Sequence, residues 1–134
     1  MATEPDGHLV DTHLLLWWSV MPEQLPAAAR IRLERCDAPL LFSVVSLWEV
    51  AIKASLGRGD VQVNPLALRM GLLQEGFLEL PIQVEHVLAV QHLPWIHRDP
   101  FDRLLVAQAA HERLSLLTAD RTLLGYGDGV RWVG

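Results

Sequence analysis

Four acidic residues, Asp11, Glu49, Asp102 and Asp120, stand in four separate segments of this 134-residue chain. Each lies at or just beyond the point where a short apolar run meets a helix-forming one. Carboxylates that converge from such positions repel one another, and burying them without a counter-ion is costly. The usual resolution is a divalent cation with oxygen ligands. Mg2+ suits the set better than Zn2+. There is a single cysteine, Cys36, and no His-x-x-x-His spacing. Mg2+ takes a few carboxylates and keeps several waters, which leaves positions for phosphate oxygens and an attacking water. The chemistry that follows is metal-assisted hydrolysis of a phosphodiester.

Each acid also has a purely local reading. Asp11 can cap the helix after it. Ser46-x-x-Glu49 has the form of a capping box, and Glu49 stands four residues before Lys53, the spacing of a surface ion pair. In His97-Arg98-Asp99-Pro100-Phe101-Asp102-Arg103, Asp99 is placed to cap a helix and Pro100 to be its first residue. Asp102 then falls in the first turn, either as the capping-box partner of Asp99 or as a metal ligand. Thr118-x-Asp120 reads as a strand end followed by a cap. Local capping does not account for the joint placement of all four. His8 and His13 flank Asp11, while His92 and His97 bracket Pro94-Trp95 and read as loop or packing residues.

The elements that must carry these residues alternate. A short buried strand at 7–11 ends in Asp11, and a helix runs from Thr12 or His13 to Met21-Pro22. Pro26 opens a second helix, Ala27 to Cys36, closed by Asp37-Ala38-Pro39. Leu40 to Ser43 is a strand, Ser46 to Leu56 a helix closing at Gly57, and Gly57 to Asp60 a loop. A helix over about Pro65 to Gln74 ends at Gly76. Phe77 to Ile82 is a strand with an edge-type proline, and Val84 to His92 is helical. The helix 101–112 feeds a strand, Ser115 to Thr118. Asp120 begins a short helix to Leu124, and Val130 to Val133 is the last strand. Short apolar strands alternating with helices imply an α/β domain with a mainly parallel sheet covered on both faces. Functional groups then gather outside the C-terminal strand ends, which all four acids can reach. The Gly-rich turn 125–129 lies after a helix and before a strand, the wrong order for a phosphate-binding fingerprint.

Composition sets the outer limits. Hydrophobic residues make up 51% and charged residues 20%, as in a folded globular chain of one domain. The apolar run Leu14–Trp18 is too short to span a bilayer. The residues before it carry no Lys or Arg, so they lack the form of a signal peptide. A cytoplasmic protein with no membrane association is expected. The net charge of −5 speaks against a broad basic surface for nucleic acid, but not against an enzyme whose clustered acids hold cations.

Four blocks together resemble the PIN-domain ribonucleases, and among them the VapC toxins of type II toxin–antitoxin pairs. The blocks are Leu9-Val10-Asp11-Thr12-His13, Ser43 to Lys53, Arg98 to Ala109, and Leu117-Thr118-Ala119-Asp120. The resemblance spans about residues 8–133. It implies a single Rossmann-like PIN domain and a Mg2+- or Mn2+-dependent endoribonuclease. Asp11 and Asp102 would be the principal metal ligands, with Glu49 supporting the metal or orienting water. Asp120 would complete the cluster, directly or through water, and Thr118 would act as a polar group behind it. Asp99 would shape the turn and cap its helix. Lys53 and Arg103 would meet RNA phosphate or carboxylate, or be solvated surface charges. The resemblance also implies a homodimer and a cognate antitoxin. Trp17 and Trp18 exceed what one buried helix stripe needs, and read either as core or as part of a protein-binding groove.

Two other readings compete. A phosphatase or receiver-type pocket wants a second acid beside the first and a late lysine, whereas Asp11 has no acidic neighbour and Lys53 is the only lysine. A non-catalytic RNA- or protein-binding module on the same fold is opposed by the intact acids, although fold alone does not establish activity.

Overall fold

The computed structural model describes residues 5–57 and 63–134. Five strands form one all-parallel sheet, so the expected mainly parallel sheet has no antiparallel member among the described residues. The strands are β1 (His8–Val10), β2 (Leu40–Ser43), β3 (Leu78–Leu80), β4 (Ser115–Thr118) and β5 (Val130–Trp132), in the order β3-β2-β1-β4-β5. The α-helices are α1 (Thr12–Ser19), α2 (Ala27–Glu34), α3 (Val44–Ser55), α4 (Pro65–Gln74), α5 (Val84–Ala89) and α6 (Pro100–His111). Short 3-10 turns occupy Pro22–Gln24, Val90–His92 and Arg121–Tyr126.

The central strands β1 and β4 are buried throughout, which is why they read as continuous apolar runs rather than alternating ones. Successive side chains still point to opposite faces. Val10 and Leu117 join Leu14, Leu15, Phe42 and Leu72 on one side of the sheet. Leu9 and Leu116 join Val45, Leu104, Leu105 and Leu123 on the other. β1 pairs in register with β4, Leu9 opposite Leu116 and Val10 opposite Leu117. The chain builds outward from β1 to β2 and β3, then crosses back to place β4 on the other flank of β1. The crevice between β1 and β4 is thus the switch point at which parallel sheets present their sites.

Element boundaries differ from expectation in a few places. The third helix begins at Val44, not Ser46, because the Ser43 hydroxyl accepts from Val45 N–H at 2.9 Å and caps it directly from the strand end. The strand expected over Phe77–Ile82 contracts to three residues at the sheet edge, with Pro81 immediately after it. The helical stretch Val84–His92 is α only to Ala89 and then tightens to a 3-10 turn. Of the expected loop Gly57–Asp60, Gly57 has a left-handed φ of 62°, and the remainder lies outside the described residues.

Candidate metal centre

Asp11 follows the last residue of β1 and turns the chain into α1. Its backbone is extended, and its Oδ1 accepts from Leu14 N–H at 2.9 Å, so the local capping expected of it is present. Its Oδ2 accepts from the Thr118 hydroxyl at the end of β4. The same hydroxyl oxygen accepts from Asp120 N–H at 3.0 Å. Thr118 therefore stands behind the Asp11 carboxylate and holds the Asp120 backbone, and it ties the two strands flanking the switch point. Asp11 is only 3% exposed. Burial pushes its carboxyl above the usual range, while hydrogen bonds from Thr118 and Leu14 pull it back.

Glu49 is equally buried on α3. Its Oε2 takes the Lys53 ammonium at 2.6 Å, the expected i, i+4 pair. This is not a surface pair on both sides, because only the lysine side chain is half-exposed. The other oxygen, Oε1, is buried with no hydrogen-bond partner among the described residues. The Ser46–Glu49 capping box is not formed. Ser46 lies inside α3, and its hydroxyl pairs with that of Thr12 at 2.8 Å, joining α3 to the start of α1.

At the start of α6, Asp99 caps as expected: its Oδ1 accepts from Phe101 and Asp102 N–H at 2.8 and 3.2 Å. A capping box would return the Asp102 carboxylate to Asp99 N–H. That N–H instead donates to His97 Nδ1 at 3.0 Å. Asp102 is thereby released from capping. Burial, then the nearby charges of Asp99, Asp11 and Glu49, push its carboxyl up to about 7, against the opposing pull of His97. Phe101 packs edge-on against Trp48, with ring centroids 4.8 Å apart. This contact joins the helix carrying Asp102 to the helix carrying Glu49.

His97 is the site residue that sequence reasoning missed. Because its Nδ1 accepts a backbone N–H, the ring proton is assigned to Nε2. That nitrogen lies 3.1 Å from Asp120 Oδ2 and 3.6 Å from Asp102 Oδ2. His97, Asp102 and Asp120 are close enough together to share one cation. A metal-bound imidazole, however, presents a bare nitrogen to the ion and donates from the other. His97 has the reverse arrangement, so here it is a donor to Asp120 rather than a ligand. The second such group, His86, His111 and Glu112, fails for the same reason. His86 Nδ1 accepts from Gln83 N–H at 3.0 Å, and its Nε2 faces Glu112 Oε1 at 3.1 Å. A position two residues before a helix cap, from which a side-chain acceptor reaches the cap's own N–H, was the signal available for His97.

Asp120 caps the 3-10 turn after β4, its Oδ1 accepting from Thr122 N–H at 2.9 Å. Partial burial raises its carboxyl, but the hydrogen bonds from Thr122 and His97 outweigh this and hold it below the usual range.

Arg103 does not meet the expectation of an RNA contact or a solvated charge. It is 4% exposed and turned inward. Nη1 donates to Pro94 O at 2.9 Å and to the Tyr126 hydroxyl at 3.2 Å, and Nη2 to Val90 O at 3.2 Å. Trp95 covers the guanidinium, 4.2 Å from ring centroid to Cζ. These bonds fix the loop that delivers His97. Trp18 packs edge-on to Phe77 and its indole N–H donates to Glu75, whereas Trp17 lies beside His13, with Asp11 and Asp120 lining the same cleft.

The donor set fits a hard divalent cation. Asp11 and Glu49 are buried, one Glu49 oxygen is unpartnered, and burial together with neighbouring negative charge makes Asp102 harder to ionise. A cation with oxygen ligands removes all three penalties at once.

Comparison with known proteins agrees with this fold. The family model of the PIN domain matches residues 8–128. The chain is 31% identical over 116 residues to Ribonuclease VapC22 of Mycobacterium tuberculosis, covering 86% of this chain and 88% of that protein. Among solved structures, VapBC2 from Rickettsia felis, bound to a DNA fragment from its promoter, superposes with a TM-score of 0.68 at 11% identity. That match covers 93% of this chain and 96% of the other. A toxin–antitoxin complex from Klebsiella pneumoniae gives 0.65 at 21% identity, with the same coverage of each chain. At these identities the structural likeness is one of fold.

Proposed function

The chain belongs to the PIN-domain family, and from that premise we propose that it is a Mg2+- or Mn2+-dependent endoribonuclease, the toxin of a toxin–antitoxin pair. The observation that carries this reading is the pair of buried acids Asp11 and Glu49, the latter with an unpartnered Oε1, close enough to Asp102 for their charges to act on it. Asp11 and Asp102 would be the principal ligands, with Glu49 and Asp120 supporting. When bound, the cation supplies Lewis-acid polarisation of the phosphate and a more acidic water.

The chain's own residues do the positioning. Thr118 holds Asp11 Oδ2 from behind, and Leu14 N–H holds Oδ1, so this carboxylate has little freedom to turn. Lys53 fixes Glu49 Oε2 and leaves Oε1 without a hydrogen-bond partner among the described residues, free for a cation. His97 Nε2–H restrains Asp120 at the rim, where it can orient a water for attack on phosphorus. In the reaction a water oxygen bonds to phosphorus as its proton passes to solvent or to a rim carboxylate, and the phosphorus–oxygen bond to the leaving ribose breaks as that oxygen takes up a proton from solvent.

The cognate antitoxin as partner rests on the relatives, whose solved forms are toxin–antitoxin complexes. A homodimer is part of the same proposal. No helix among the described residues is long and apolar enough to cross a membrane.

The test is cleavage of structured and unstructured RNA by purified, antitoxin-free protein in Mg2+, Mn2+ or EDTA, beside Asp11→Ala. Cleavage that needs the metal and fails in the variant is expected. Metal-independent cleavage, or equal cleavage by Asp11→Ala, would overturn the mechanism.

A further inference from the structure

We propose that the cleft between α1 and the Ala119–Asp120 turn is a nucleobase subsite, in which Trp17 and His13 hold the base of the nucleotide next to the scissile phosphate of single-stranded RNA. The proposal rests on the ribonuclease reading and deepens it.

The cleft is lined by Asp11, His13, Trp17, Ala119 and Asp120, with a volume of about 330 Å3. That is the size of a small-ligand pocket, and too little for a duplex. Two of its five lining residues are metal-site acids, so whatever occupies it lies directly beside the reacting phosphate. His13 and Trp17 stand one turn apart on α1 and present their rings to the same side, with centroids 5.9 Å apart. His13 is exposed, and it lies near enough to Asp11 to bear on that carboxylate's charge.

The neighbouring tryptophan shows why Trp17 stands out. Trp18 is fully employed within the fold: its ring packs on Phe77 and its N–H is taken by Glu75. Trp17 also packs in part against the core, but its side chain makes no hydrogen bond among the described residues and it lines the cleft. A nucleobase is flat and uncharged. It stacks on indole without bringing negative charge against Asp11 and Asp120, while its phosphate goes to the cation. Aromatic platforms beside a backbone track are the general means of holding single strands.

The test is a cycle of protein and substrate. Fluorescently labelled single-stranded RNA is titrated in Ca2+ against the wild type, Trp17→Ala, Trp17→Phe and His13→Ala, with gels confirming that the RNA stays intact and melting curves that the variants fold. The same RNA is made with an abasic ribose at each position in turn. We expect Trp17→Ala to weaken binding by about 5- to 30-fold, and Trp17→Phe to stay within about threefold of the wild type. His13→Ala, an exposed change, should cost about threefold. At one position the abasic ribose should cost the wild type as much as Trp17→Ala does, and cost Trp17→Ala nothing more. Unchanged affinity in both Trp17→Ala and His13→Ala overturns the subsite, as does an abasic penalty that persists in Trp17→Ala. An effect of Trp17→Ala on antitoxin binding alone would assign the cleft to a peptide and overturn it too. Metal-dependent cleavage indifferent to Trp17 refutes the subsite and leaves the ribonuclease reading standing. The predicted binding cycle without cleavage in any metal does the reverse.

Discussion

His97 stands between Asp102 and Asp120 with its proton directed at the carboxylates, because Asp99 N–H occupies its other nitrogen. Two consequences follow from one side chain. His97→Ala removes the donor that restrains Asp120 and strips Asp99 N–H of its acceptor, so RNA cleavage should fall about tenfold while stability drops by about 1 kcal/mol. Steady-state cleavage and urea unfolding measure the two separately. A loss of stability with unchanged cleavage would make the ring purely structural. Arg103 belongs to the opposite class. Arg103→Ala removes the buried guanidinium that ties the Val90–Pro94 turn and Tyr126 to α6, and should cost about 2–3 kcal/mol in urea unfolding. At a temperature where the variant is folded, its RNA affinity should match that of the wild type. The role of Arg103 depends on contacts with the Val90–Pro94 turn and with Tyr126, and that of His97 on its reach to Asp120, all at distances no local pattern encodes. Capping by Asp99, by contrast, was legible, because cap, proline and first turn are adjacent in sequence.

At the scale of elements, α3 and α6 are the two helices that bring acids to the sheet edge, and each is started by a capping side chain. Ser43→Ala removes the cap of α3 and the hydroxyl that donates to Gln108, so it should destabilise by about 1–2 kcal/mol. By tilting the start of α3 it should also weaken cleavage. Denaturant unfolding and a cleavage rate test the pair of effects. The pattern of alternation was readable because buried parallel strands are short apolar runs separated by helical periods. The start of α3 was not. Ser43 ends a strand and caps a helix at once, with no linker residue between, and Ser46 offered a more familiar motif. The edge-on contact of Trp48 with Phe101 was likewise invisible, since it joins residues brought together only by the crossover.

For the molecule as a whole, the acid cluster opposes folding until a cation is bound. The folded protein holds a proton on Asp102 to about pH 7, whereas an ordinary Asp loses it near 3.8. The folded state therefore binds more protons between those values, and stability of the metal-free protein should fall as pH rises from about 4 to about 7. A divalent cation binds the ionised form. Its stabilising effect should be small at pH 5, grow through neutrality and level off above it. Melting temperature against pH, in EDTA and in Mn2+, measures this directly. Asp102→Asn should flatten the decline, be more stable than the wild type in EDTA at pH 8 by on the order of 1 kcal/mol, and lose most of the response to Mn2+.

One last feature concerns Lys53. It is the chain's only lysine, and its ammonium is the one that neutralises Glu49. Amine-directed reagents and lysine acylation therefore have a single side-chain target in this protein, half-exposed and within reach of solvent. Acylation there would erase the positive charge that holds Glu49 Oε2 and leave a buried carboxylate with at most one neutral amide N–H against it. The lysine is accordingly a ready attachment point for a spectroscopic probe, whose reaction rate in the presence and absence of a cation would report on the state of Glu49.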